Sequence, residues 1–326
     1  MELVRPKIEL YRTRTFSEKI SDTFAFVRES WRPTLKYATY LLLPVSIVMA
    51  FFMNNFMDSY MRMIIGVTGT GSMDGPDDQT VAFVLTTLGL VLLSLVGSML
   101  ITALVYALVR LYNLRGERRL DALTGSELKP VLLAMLRRIT WLMLATLLLA
   151  VLVGALLAML LVLMTIISPV LMVLVLLLVY AALICVLIPL TLVVPVYMLE
   201  DDITIPAAFQ KAWRLGFATW GGIVAVVLVL SLIGTVIQSF TSLPWTIMLM
   251  VKTTLTLQGD TAGGFVDSVS YSFLQYLFCI VQCFATLLVS VLTLVGVTVQ
   301  YGHASDKIDG VSVAMNIEKF DELDNF

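Results

Sequence analysis

Three acidic residues in a row, Glu200-Asp201-Asp202, form the sharpest charged cluster in this 326-residue chain. They stand just before Thr204, where carboxylates complement the positive end of a following helix and can pair with Lys211 or Arg214. Docking of a partner or gating of an ion is the alternative use. Metal chemistry has little to work with. His303 is the sole histidine, and a zinc hydrolase site gathers several. Cys279 and Cys283 are four apart and share a helix face. They read as small buried thiols, since no further ligands accompany them. The run 66–75 is rich in glycine but matches neither phosphate-loop spacing, so it reads as a flexible turn. Asp74, Asp77 and Asp78 lack the order of a calcium loop. There is no Gly-x-Ser-x-Gly elbow. The chain is therefore expected to be non-enzymatic, with no cofactor and no metal.

The elements around these residues belong to a membrane. Hydrophobic residues make up 59% and charged residues 13% of the chain, against about 45–50% and 25% in soluble domains. The mean hydropathy is +0.96. A span needs about 20 apolar residues, and six are legible, at 37–57, 81–109, 139–164, 170–199, 220–240 and 271–301. None contains Asp, Glu, Lys, Arg or His. The stretch 139–199 is too long for one span, and Ser168-Pro169 is its natural break, because proline disfavours helix in the residue before it. Arg and Lys number eight before the first span, seven between the second and third, two between the fourth and fifth, and two in the tail. The opposite face holds only Arg62 and Lys252. The positive-inside rule then places both termini in the cytoplasm. The net charge of −2 gives no basic surface for nucleic acid. The first 36 residues carry thirteen charges, which no cleavable signal peptide does.

A threefold pattern runs through the chain. Thr15 with Glu18, and Thr124 with Glu127, have capping-box spacing. Thr204 begins a third such segment, with Pro206 in its first turn but no glutamate. Trp31, Trp141 and Trp220 follow these threonines by 16, 17 and 16 residues. Arg28, Arg137 and Arg138 precede two of the tryptophans. Each transmembrane hairpin is therefore expected to follow a short amphipathic helix on the cytoplasmic surface. Trp31, Trp141 and Trp220 would anchor it at the interface, and the arginines would meet lipid headgroups. Ile20, Phe24 and Val27 would share the apolar face of the first, and Ala208, Phe209, Ala212, Trp213 and Phe217 that of the third. The chain thus divides into a cytoplasmic segment 1–36, a six-span membrane domain 37–301 and an acidic cytoplasmic tail 302–326.

The polar groups inside the spans are uncharged. Gln275 and Gln282 are seven apart on one helix face, and they read as interhelical hydrogen-bonding groups or as the wall of a polar conduit. Pro44, Pro189 and Pro195 are expected to kink spans. The outer segment 241–270 contains an apolar stretch, 243–251, expected to lie on the interface or to re-enter the membrane. In the tail, 311–320 has helical spacing.

The segment 195–220 resembles a recurring bacterial membrane segment in which a span ends in proline and a Leu-Glu pair, followed by a short helix and the next span. Pro195, Glu200, Ala208, Ala212 and Leu215 fall on matching positions. Phe209 replaces the usual leucine and Ala212 the usual serine. The resemblance is to the membrane domain of glycerophosphoryl diester phosphodiesterases and related multi-span families. It implies an all-α membrane architecture in the bacterial cytoplasmic (inner) membrane and carries no catalytic residues, because no soluble segment here is long enough to be the hydrolytic domain. The expected role is a scaffold or subunit of a membrane assembly. Its partners would be the phospholipid bilayer and a membrane or cytoplasmic protein, with Glu200, Asp201, Asp202, Arg28, Arg137 and Arg138 as contacts. A permease or lipid-handling protein is the alternative.

Overall fold

The structure, a computed structural model, describes residues 8–68, 78–115, 123–258, 266 and 268–314. All regular structure among them is helical: α1 (Phe16–Thr68), α2 (Asp78–Leu114), α3 (Gly125–Ile167), α4 (Pro169–Leu190), α5 (Val193–Leu199), α6 (Ile205–Ala218), α7 (Trp220–Gln258) and α8 (Val269–Asp309). Six of these are long and apolar enough to cross a membrane, with α4 and α5 counted as one span. The chain is a polytopic, all-α membrane protein. An unsatisfied backbone amide or carbonyl in hydrocarbon costs several kcal/mol, so a chain this apolar is driven to hydrogen-bond its backbone within each segment.

The helix ends follow local chemistry. Thr15 N–H donates to the Glu18 carboxylate at 2.7 Å, and Glu18 N–H donates to Thr15 Oγ1 at 3.4 Å. Thr124 N–H donates to Glu127 at 3.4 Å. Both expected capping pairs therefore form. Ser168 is extended (φ −165°, ψ 129°) and Pro169 opens α4, which makes the expected break. α4 ends one residue after Pro189, and a turn at 191–192 precedes α5. Pro44 lies within an unbroken α1.

Several expectations change. The first two cytoplasmic segments are not separate helices, because α1 and α3 run on without a break from their caps into the spans. Only the third segment is a helix of its own, α6, closed at Thr219. The outer stretch 243–251 is not a separate element. It continues α7, with Pro244 inside the helix and Trp245 buried. Helix continuity keeps every backbone group of the stretch hydrogen-bonded within α7. The glycine run beyond 68, Arg118, Arg119 and the tail beyond 314 lie outside the described residues.

Two compact units emerge. The first holds Met1–Arg32, Ala103–Ser231 and Leu292–Phe326, and the second holds Pro33–Thr102 and Leu232–Val291. In the first, Tyr106 and Tyr301 are fully buried, Phe26 meets the edge of Tyr112 at 5.1 Å, and the segment before α1 lies on α8. Gly302 makes that approach possible, because a Cβ there would sit 2.1 Å from the Leu10 carbonyl oxygen. The buried stripe at the start of α1 is Lys19, Thr23, Phe26 and Ser30. The expected apolar stripe is the outer one, with Phe24 exposed and Ile20 and Val27 half-buried. Likewise α6 buries the small residues Ala208, Ala212 and Gly216 together with Leu215 and leaves Trp213 and Phe217 exposed. In lipid the large apolar side chains gain nothing by turning inward, and small residues let helices approach. In the second unit, Ala50, Trp245, Cys279 and Cys283 form a buried cluster.

Candidate functional site

In the first unit, Glu200 and Asp201 of the acidic cluster at the end of α5 are paired with side chains of the protein itself. Arg110 of α2 grips both Asp201 oxygens at 2.6 and 2.8 Å. Arg138 of α3 adds a third bond at 3.3 Å. It also donates to the Glu200 carbonyl and stacks over Tyr197, 5.0 Å from the ring centroid. The Arg110 guanidinium, the largest influence, holds the Asp201 carboxyl below the usual carboxylate range. Glu200 accepts from the Tyr301 hydroxyl and pairs with Lys211 at 2.7 Å. Asp309 takes Arg214 at 2.7 Å and Lys211 at 3.7 Å. Five helices are thus fastened through two carboxylates of the cluster and Asp309. Such networks hold elements in register, and their charge is largely spent internally.

The remaining predicted residues separate from this network. Asp202, Arg28 and Arg137 are exposed and form no ion pair among the described residues. Trp31 and Trp141 are exposed, as an interfacial anchor requires, while Trp220 is half-buried at the start of α7.

The polar groups of the second unit close on one another. Asn54 Oδ1 accepts from Trp245 Nε1 at 3.1 Å and from Gln275 Nε2 at 3.3 Å. Its own amide donates to the Ala50 carbonyl at 3.0 Å. Tyr276 reaches the Ile47 carbonyl at 2.6 Å, and Lys252 pairs with Asp58 at 2.7 Å. Gln238 donates to Thr286 at 3.0 Å. Gln275 is therefore a structural link between α1 and α8. Gln282, on the same face, is half-buried, and its carbonyl oxygen has no protein partner. Cys279 and Cys283 are buried and unpaired by disulfide, and Cys279 donates to the Ala50 carbonyl at 3.7 Å.

A third group went unrecognised in the sequence. Back in the first unit, Lys19, His303, Lys307 and the first turn of α7 surround a cavity of about 310 Å³, a size at the lower bound of small-ligand sites. Arg14 organises its surroundings. Its side chain is almost wholly buried, bonded to Asp22 at 2.6 Å and to the carbonyls of Leu10 and Arg12 at 3.0 and 3.1 Å. Its backbone N–H donates to His303 Nδ1 at 3.0 Å, so the neutral imidazole carries its proton on Nε2. The one sequence signal was Trp220-Gly221-Gly222 directly after Thr219: two glycines in the first turn of a span.

Comparison of the chain with protein-family models, with curated proteins and with solved structures gave no match.

Proposed function

We propose that the protein is a non-enzymatic subunit of an assembly in the bacterial cytoplasmic membrane, with both termini in the cytoplasm and a membrane domain of the glycerophosphodiesterase-associated kind. The α3–α4 hairpin carries this reading. In the most apolar 18-residue window of α3, and in that of the α4 span, 0% of residues are buried, against 33% in α2 and α8. Beyond Leu142, both α3 and α4 present leucine and valine outward. Helices in lipid associate by close packing rather than by a hydrophobic drive. A hairpin this poorly packed against its own chain is suited to receive helices from another.

Cys185 supplies the test. It is exposed on α4, while the other two cysteines are buried. A photoreactive maleimide placed there in native membranes is expected to capture one protein in stoichiometric yield. Capture of lipid alone, with the protein running as a monomer in mild detergent, would end the assembly reading. A second reading, lipid handling, is favoured by the basic cavity, and predicts lipid transfer by the purified protein in proteoliposomes.

A further inference from the structure

Polar groups converge without protein partners at the first turn of α7. Thr219 closes α6 by donating to the Leu215 carbonyl at 3.1 Å, and the first helical donor of α7 is Ile223, bonded to Thr219 at 3.1 Å. The amides of Trp220, Gly221 and Gly222 precede it. They stand at the positive end of a 39-residue helix, where no helical acceptor is available. Two consecutive glycines leave that backbone bare to a ligand.

Side chains from two other helices complete the cavity. Lys19, from the first turn of α1, is 5% exposed, yet Nζ has no hydrogen-bond or ion-pair partner among the described residues. It lies 3.5 Å from the point where a Cβ on Gly222 would sit, and Gln300 Nε2 lies 3.1 Å from the same point. Gln300 is 1% exposed, and neither of its amide atoms has a partner. His303 and Lys307, one turn apart on α8, line the cavity too. Nearby carboxylates are engaged elsewhere. Asp22 holds Arg14, Asp306 accepts from Ser312 N–H at 3.1 Å, and Asp309 holds Arg214. None of the three lines the cavity. An ammonium that faces this cavity has no ion pair to offset its partial loss of water, and a buried amide without a partner is costly.

We propose that this cavity binds a phosphate-bearing anion, with its oxygens on the amides of Gly221 and Gly222 and its charge met by Lys19 and Lys307. A helix start with bare amides and two lysines offers more donors than a carboxylate can use, and suits a tetrahedral phosphate. Phe217 lines the cavity and is 45% exposed. With Trp213 against it, ring centroids 4.6 Å apart and planes tilted by 52°, it forms an aromatic pair of the type found at headgroup depth. The phosphate is therefore either that of a lipid headgroup or a soluble one. The site stands whether or not the α3–α4 hairpin receives another protein.

The test uses the full chain, purified in a neutral maltoside, and reads the thermal unfolding midpoint. Three titrants are compared: inorganic phosphate against sodium chloride at equal ionic strength, dioctanoyl phosphatidylglycerol, and dioctanoylglycerol, which lacks the phosphate. A saturable rise with inorganic phosphate identifies a soluble anion as sufficient. A rise with phosphatidylglycerol alone identifies the headgroup. In either case Lys19→Met is expected to weaken apparent affinity by about tenfold or more, while still unfolding cooperatively. Arg214→Gln, which removes a cation outside the cavity, leaves affinity unchanged. The proposal is overturned if phosphate acts no differently from chloride and phosphatidylglycerol no differently from dioctanoylglycerol. It is equally overturned if Lys19→Met responds as the unaltered protein does.

Discussion

The first unit holds two charged regions of opposite character. Glu200 and Asp201 each have protein counterparts: Arg110, Arg138, Lys211 and the Tyr301 hydroxyl. The charged side chains lining the cavity, Lys19 and Lys307, share one sign, and the nearby carboxylates Asp22 and Asp309 are held by arginines. The first region is conspicuous in the sequence and closed in the structure. The second is inconspicuous in the sequence and open in the structure. A run of like charges thus says little about a binding site. The informative property is whether the fold supplies the counter-charge, because a compensated cluster has its attraction already satisfied and an uncompensated one does not.

Mutations should therefore act with opposite sign in the two regions. The largest effect is expected for Glu200→Ala. It removes the acceptor of a fully buried Tyr301 hydroxyl and the partner of Lys211, a loss of about 1.5–3 kcal/mol. Denaturant unfolding in detergent would measure it, and Glu200→Gln should recover part by keeping an acceptor for Tyr301. A stability equal to that of the unaltered protein would break the contrast, because Glu200 would then be available to a partner. Next comes Lys19→Met, which should raise stability in the absence of phosphate by about 1 kcal/mol, since it removes a buried charge that has no counter-charge. The same unfolding measurement would read it, and a loss of stability would mean that the lysine has a structural duty.

The smallest effect is the pH dependence at Asp201. Its carboxyl is held low in the fold, chiefly by Arg110. The contribution to stability is therefore fully present above the ordinary carboxylate range and is lost as pH falls through the lowered value. The pair is solvent-exposed, so the change is modest. Asp201→Asn should flatten this acid limb while leaving the neutral-pH response to phosphate untouched.

Much of the architecture was legible from local chemistry. The six spans follow from runs that contain no Asp, Glu, Lys, Arg or His. The break at Ser168-Pro169 follows from proline sterics, and the caps at Thr15 and Thr124 from short-range hydrogen bonding. These depend on neighbours in sequence, so sequence determines them. What failed depended on the third dimension. The stretch 243–251 reads in the sequence as a separate piece, interfacial or re-entrant, because it is apolar and follows a span. It is a continuation of α7, whose Trp245 finds Asn54 191 residues away. Ile20 and Phe24 looked like a buried face by the rule for soluble helices. In a membrane protein the polar stripe carrying Lys19, Thr23 and Ser30 turns inward.

The sequence by itself determined that the chain is an all-α, six-span protein and where most of its helices begin. Each of those outcomes is a sum of local transfer and hydrogen-bond terms over a few turns. Only the tertiary structure decided which charges are compensated. Lys19, Gly222, Gln300, His303 and Lys307 come together because α1, α7 and α8 meet there. Glu200 is silenced because α5, α6 and α8 meet around it. Charge compensation depends on distance in space rather than on separation along the chain.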